Sequence, residues 1–438
     1  MADGADGLDL AGIIDRRPMS GVQVLVVALC AAALFVDGYD IQVMALAVPS
    51  LAKAWALPPS SFGLALSAVV IGISLGSGVI GPLGDRFGRR TMLTAAMALI
   101  GVATACTALA ASPGQFVLWR LLTGVALGAG IPSCAALTSE YAPVSKRSLV
   151  MGLMNVTSPI GAFCAGFVAP PVLGAFGWRG TFLIGGGAPL VIAALVWLLA
   201  PESLKFLIVR RPGDPRIAGA LRRIAPEIDP ETVHVQATVD GPKGVPWELV
   251  GPKFLPRTLV LWSLLFLNLF NLYVLISWLP TLLQQAGWSP TAALQGAVLI
   301  QGGGVVGGLL MARFLDRGHT RAALVAGFCL SAACLGLFAI APAGIAWVAL
   351  LLLLGAGVSG SQLSLNALSA AYYPPAIKAT GVAWALLIGG LGSVVAPIAG
   401  ARMLDLHLST VAILGLLAIP SLVCALGVGL MRREWQAH

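Results

Sequence analysis

Long apolar stretches recur along this chain, and its charged residues are largely confined to the joints between them. A helix that crosses a bilayer needs about 20 mostly apolar residues. Twelve segments meet that requirement: 22–49, 61–82, 91–112, 115–137, 148–171, 180–200, 257–283, 291–312, 322–341, 344–370, 379–402 and 409–431. Lipid offers no partner for a backbone N–H or C=O, so segments of this length must satisfy themselves as helices. Only 10% of the 438 residues are charged, against about a quarter in soluble domains, and mean hydropathy is +0.92. Such a chain cannot cover a water-facing surface of its own size. The expected fold is an all-α membrane protein of twelve transmembrane helices in two pseudo-symmetric six-helix bundles. The 53 glycines suit close helix packing in lipid.

The basic residues set the expected topology. Arg86, Arg89 and Arg90, then Lys146 and Arg147, then Arg313, Arg317 and Arg321, then Lys378, then Arg432 and Arg433 fall on alternate joints. The opposite joints carry Lys53, Arg179 and Arg402. Positive residues accumulate on the cytoplasmic side, which puts both termini inside. The net charge of +8 sits between apolar spans and does not form a nucleic-acid surface. The expected organisation is a cytoplasmic tail (1–21), a first bundle (22–200), a cytoplasmic linker (201–256) with a short surface helix near Arg216–Ile224, a second bundle (257–431) and a second tail (432–438).

The two halves repeat. Asp85-Arg86-Phe87-Gly88-Arg89-Arg90 aligns with Asp316-Arg317-Gly318-His319-Thr320-Arg321, and the same displacement along the chain aligns 136–143 with 367–374 and Arg147 with Lys378. Repeated bundles of this kind carry their site at the midplane between them.

Asp37 and Asp40 stand alone in the otherwise uncharged run from Val22 to Pro49. A carboxylate near the middle of a spanning helix costs roughly 2.5–3.5 kcal/mol on insertion scales and is by default functional. At i, i+3 the two share a helical face, and low dielectric disfavours their charged form. They are the candidate proton carriers. Arg120 is the one basic residue well inside a span, at a depth similar to Asp40. It is a candidate for holding a carboxylate, first of an aspartate and then of a substrate. A permanent ion pair locking two helices is the alternative.

Further candidates for substrate contact are Tyr39, Asn268, Asn271, Tyr273, Gln301, Gln362, Asn366 and Trp384, with Asn155 also embedded in a span. Aromatic rings would stack on an aromatic ligand and amides would fix its polar groups; helix–helix hydrogen bonding is the competing role. Asp85, Arg86, Arg89, Arg90, Glu140 and Arg147 are candidate gating residues, pairing across helices in one conformation and parting in the other. In the second half Asp316, Arg317 and Arg321 would play that part, with a weaker gate because Ala371 stands where Glu140 would be. The seven cysteines and four histidines show no metal or redox spacing, and no cofactor beyond a proton gradient is expected.

Gly81-Pro82-Leu83-Gly84-Asp85-Arg86-Phe87-Gly88-Arg89-Arg90 resembles the signature loop of the major facilitator superfamily. Asp37-Gly38-Tyr39-Asp40, Glu140-Tyr141-Ala142-Pro143 with Arg147, and Pro201-Glu202-Ser203-Leu204 together resemble its aromatic acid:proton symporter family. The resemblance implies proton-driven import of an aromatic carboxylate, benzoate-like or a related lignin-derived acid, across a bacterial inner membrane by alternating access. It implies a monomer whose partners are that acid, protons and the lipid bilayer, with no nucleic acid. One departure stands out: Gly390, in Ile388-Gly389-Gly390-Leu391-Gly392-Ser393, occupies the place of an arginine that this family usually carries in its eleventh helix. Import of another organic anion such as a sugar acid, proton-driven export, and a membrane receptor or chemosensor are the alternatives. No enzyme motif is present.

Overall fold

The computed structural model describes residues 8–9, 19–211, 213–224, 233–234, 249, 251–252, 254–340, 344–374 and 377–431. Most of the two expected tails, and 25 of the 56 residues of the expected linker, lie outside these. Helices α1 (Gly21–Trp55), α2 (Gly63–Leu75), α3 (Arg89–Ala108) and α4 (Pro113–Tyr141) are followed by one continuous helical stretch, Val144–Leu199. That stretch breaks at Gly177, whose φ of 65° is left-handed and open to glycine, and so forms α5 (144–176) and α6 (178–199). Then come α7 (Leu255–Gln285), α8 (Pro290–Asp316), α9 (Thr320–Leu337), α10 (Ile345–Tyr372), α11 (Lys378–Asp405) and α12 (Thr410–Leu430).

By length and composition, eleven helical stretches among the described residues are long and apolar enough to cross a membrane, and the break at Gly177 makes them twelve spans. The expected segments are all found, with shifted ends. α1 runs through Pro49 to Trp55, and α5 and α6 meet at the Gly177 break, inside the stretch where the sequence predicts a loop. The surface helix of the linker spans Pro215–Ile224, and a second short helix, Leu204–Arg210, precedes it. Leu8–Asp9 and Val233–His234 pair in parallel as a two-residue bridge. Large apolar side chains such as Leu198, Ile345 and Leu426 are exposed, as lipid-facing residues are.

Two compact units emerge, and they cut across the sequence halves. The first holds 1–38, 71–161 and 182–239; the second holds 39–70, 162–181 and 240–438. In the second unit the start of α2 packs on α11, where Ser67 Oγ donates to Val394 O at 2.8 Å, and α5 meets α8 where Gly166 lies against Val298. Its core is built from Leu261, Leu264, Leu265, Phe328, Leu365 and Val428 of α7, α9, α10 and α12.

Candidate functional site

In the first unit, Arg120 is fully buried on α4 and is held by hydroxyls. Its Nε donates to Thr107 Oγ1 at 3.2 Å, and its Nη2 donates to Thr104 Oγ1 at 3.1 Å, Thr107 Oγ1 at 3.0 Å and Thr123 Oγ1 at 3.0 Å. The threonines are oriented for this. Thr107 donates its own proton to Ala103 O and Thr123 to Trp119 O, each at 2.9 Å, so lone pairs are left facing the guanidinium. Phe182 stacks with its ring centroid 5.0 Å from the guanidinium carbon. These acceptors are neutral and fix the orientation of the guanidinium, whose forked N–H groups suit a carboxylate.

Asp37 and Asp40 are both buried, at 6% and 0% exposure. The glycine between them has a packing reason. A Cβ on Gly38 would run into the backbone carbonyl of Ser158, and one on Gly161 would run into that of Phe35. α1 and α5 therefore touch backbone to backbone beside Asp37. Asp37 and Arg120 belong to the first unit and Asp40 to the second.

In the second unit the polar candidates divide. Asn268 Nδ2 donates to Gln362 Oε1 at 2.9 Å and to Val358 O at 3.2 Å, and Gln362 Nε2 donates to Asn366 Oδ1 at 3.0 Å. This is a three-amide chain linking α7 and α10. Asn271 turns to α12 instead, donating to Leu417 O at 3.0 Å and Ser421 Oγ at 2.9 Å. Tyr39 and Gln301 are buried, and Tyr273 is half-buried. Trp384 is more open and stacks on Trp262 with centroids 6.2 Å apart. Gly390 faces open space: nothing lies within 4 Å of where a Cβ would sit.

The gating candidates of the first half gather around a residue that sequence reasoning did not single out. Glu202 accepts from Arg90 N at 2.8 Å, Thr91 N at 3.4 Å and Thr91 Oγ1 at 3.2 Å, and so caps the N-terminus of α3. Gly88, at φ 102°, leaves room for that carboxylate, which a Cβ would strike. Asp85 pairs with Arg89, Glu140 accepts from Ser203 Oγ, Arg90 donates to Trp197 O, and Tyr141 Oη donates to Glu202 O at 2.8 Å. Arg86 lies over Phe87, and Arg147 Nη2 donates to Ala142 O at 3.4 Å. Gln23 completes the cluster, donating to Tyr141 O at 2.8 Å.

The second half answers this last bond at the repeat-equivalent tyrosine, Tyr372, with different chemistry. Arg257 Nη2 donates to Tyr372 O at 2.7 Å, and its guanidinium lies 4.7–5.6 Å from the rings of Phe254, Tyr372 and Tyr373. Asp316 ends α8 with Arg317 just beyond it, and Arg321 donates to Gly429 O on α12. The signals for Glu202 and Arg257 were present as the Pro-Glu-Ser element and as a basic residue at a span edge. Their partners lie far off in sequence.

Comparison with known proteins places the chain. A sequence profile of the Major Facilitator Superfamily matches residues 30–397 and 261–434. The chain is 36% identical to the 4-hydroxybenzoate transporter PcaK of Acinetobacter baylyi (96% of this chain, 93% of that one) and 33% identical to a gallate transporter of Pseudomonas putida (96% and 94%). The solved structure of the xylose transporter XylE from E. coli, in a partially occluded inward open conformation, superposes with a TM-score of 0.70 at 18% identity over 93% of this chain and 97% of that one. With its twelve spans, signature loop and internal repeat, the chain belongs to the major facilitator superfamily and is a transporter, not an enzyme.

Proposed function

We propose that this chain is a proton-coupled importer of an aromatic carboxylate, working by alternating access in a bacterial inner membrane with both termini cytoplasmic. The observation that carries the reading is the combination of two buried aspartates on α1 with a fully buried Arg120 seated on three threonine hydroxyls. Buried ionisable groups in spanning helices are costly and serve transport or proton relay. Protonation of Asp37 or Asp40 removes a negative charge from the apolar interior. The guanidinium then receives the substrate carboxylate, in bidentate fashion where geometry allows. Proton and anion thus bind together and cross together. The substrate class is supported by relatives named for 4-hydroxybenzoate and gallate, both hydroxylated aromatic acids.

The Asn268–Gln362–Asn366 chain supplies amides suited to ring hydroxyls. The cluster around Glu202 supplies the first-half gate. In this topology the contacts of α2 with α11 and of α5 with α8 within the second unit form the outer seal.

The test uses purified protein in liposomes with an imposed pH gradient. The wild type is expected to accumulate labelled 4-hydroxybenzoate uphill. Asp37→Asn and Asp40→Asn are expected to lose uphill accumulation, and at least one is expected to retain counterflow exchange. Uphill accumulation by both variants would remove the proton role.

A further inference from the structure

A cavity of about 260 Å³ lies wholly within the second unit, between the C-terminal end of α1, the end of α5, the last turn of α7 and the first turn of α8. Leu173 and Leu294 supply apolar walls, while Ser50, Gln284 and Thr291 supply hydrogen-bonding groups. Lys53 is the charged residue of the lining, and no carboxylate is among the described residues that line it. Pockets for drug-sized ligands run to roughly 300–1,000 Å³, so this one suits a single-ring molecule. Its chemistry asks for an anion with a flat apolar body: walls for the ring, an ammonium for the charge, and hydroxyl and amide groups for substituents.

A separate observation points the same way. On α1, Lys53, Ser50, Leu46, Gln42 and Tyr39 succeed one another at steps of three or four residues, so they share one helical face. Lys53, Ser50 and Leu46 line the cavity. One turn deeper, Gln42 is 1% exposed, and neither its Oε1 nor its Nε2 has a hydrogen-bond partner among the described residues; the Tyr39 hydroxyl is in the same position. A buried amide left unsatisfied costs about 1–3 kcal/mol. Gln42 offers one acceptor and one donor group, the complement of a phenolic hydroxyl, which both donates and accepts.

We propose that the cavity is a capture site for small aromatic carboxylates on the outer face, and that Gln42, with the Tyr39 hydroxyl, reads the ring hydroxyl as the ligand passes along α1. The helix rises about 20 Å between Lys53 and Asp40. The captured anion therefore sits well short of the aspartates. This inference rests on the aromatic-acid reading and its topology, and adds a second site to it.

The test compares uptake of 4-hydroxybenzoate and benzoate by the wild type, Lys53→Gln, Lys53→Arg and Gln42→Leu. Lys53 is exposed, so its variants are expected to fold. Lys53→Gln should raise the KM for uptake about 5-fold at low ionic strength, less at high ionic strength where salt screens the charge. Its kcat, and the internal concentration that half-saturates efflux, should stay within about 2-fold. Lys53→Arg should retain the wild-type KM. Gln42→Leu should lose the preference for 4-hydroxybenzoate over benzoate while still carrying benzoate. A Lys53→Gln protein with unchanged KM for uptake, or with equal shifts in uptake and efflux, overturns the capture site. A Gln42→Leu protein with unchanged preference overturns the hydroxyl reading. If the wild type carries neither acid, the aromatic-acid reading itself falls, and this inference with it.

Discussion

Replacing Thr107 by valine removes one oxygen and keeps the shape of the side chain. That oxygen accepts from Arg120 Nε at 3.2 Å and from Nη2 at 3.0 Å. Nη2 keeps Thr104 and Thr123 as acceptors at 3.1 and 3.0 Å, so the loss falls on the Nε–H. A hydrogen bond to a charged group contributes about 1.5–3 kcal/mol net. Taking about 2 kcal/mol, and 1.4 kcal/mol per factor of ten, the guanidinium's hold on a ligand carboxylate should weaken by about 30-fold. Counterflow of labelled 4-hydroxybenzoate measures this as a rise in KM, and thermal melting of the purified protein measures stability separately. Thr107→Ser keeps the oxygen and should stay within about 2-fold of the wild-type KM. A Thr107→Val protein that melts early yet keeps its KM would refute the reasoning. The threonines would then serve only to fasten α3 to α4.

Two further outcomes follow from packing and capping. Gly38→Ala should force α1 off α5, because the new methyl meets the Ser158 carbonyl. Overpacking of this kind costs about 1–3 kcal/mol, to be seen as a lower melting temperature with loss of uptake; unchanged melting would mean that the helices have room to part. Glu202→Ala should destabilise by about 1–2 kcal/mol through loss of the α3 cap. Glu202→Gln, which keeps an acceptor and loses only the charge at the helix end, should cost less than about 1 kcal/mol. Equal falls in melting temperature for the two would contradict the capping role.

The fold was legible because lipid permits so few solutions. Apolar runs of this length must be helices, and several motifs recurring at one shared displacement betray a repeat. Helix ends were less so: Pro49 looks like a boundary in sequence, yet α1 passes through it, whereas the break at Gly177 falls inside the expected loop. The buried state of Asp37, Asp40 and Arg120 could be read from their lone charges in apolar surroundings. The threonines that hold Arg120 could not, because Thr104 and Thr107 look like ordinary small residues of α3 until α4 is placed beside them. Asn268 and Asn271 share a face at i+3, but three residues turn a helix by about 300°, short of a full circle. That shortfall suffices to send one amide to α10 and the other to α12.

The repeat preserves a bond while exchanging the chemistry around it. The carbonyl of Tyr141 is held by an uncharged glutamine in a neighbourhood of carboxylates, Glu202 and Glu140; that of Tyr372 is held by an arginine wrapped in aromatic rings. Each half thus fastens the same carbonyl with its own side chain, so a single substitution at Gln23 or at Arg257 can release one half and leave the other tied.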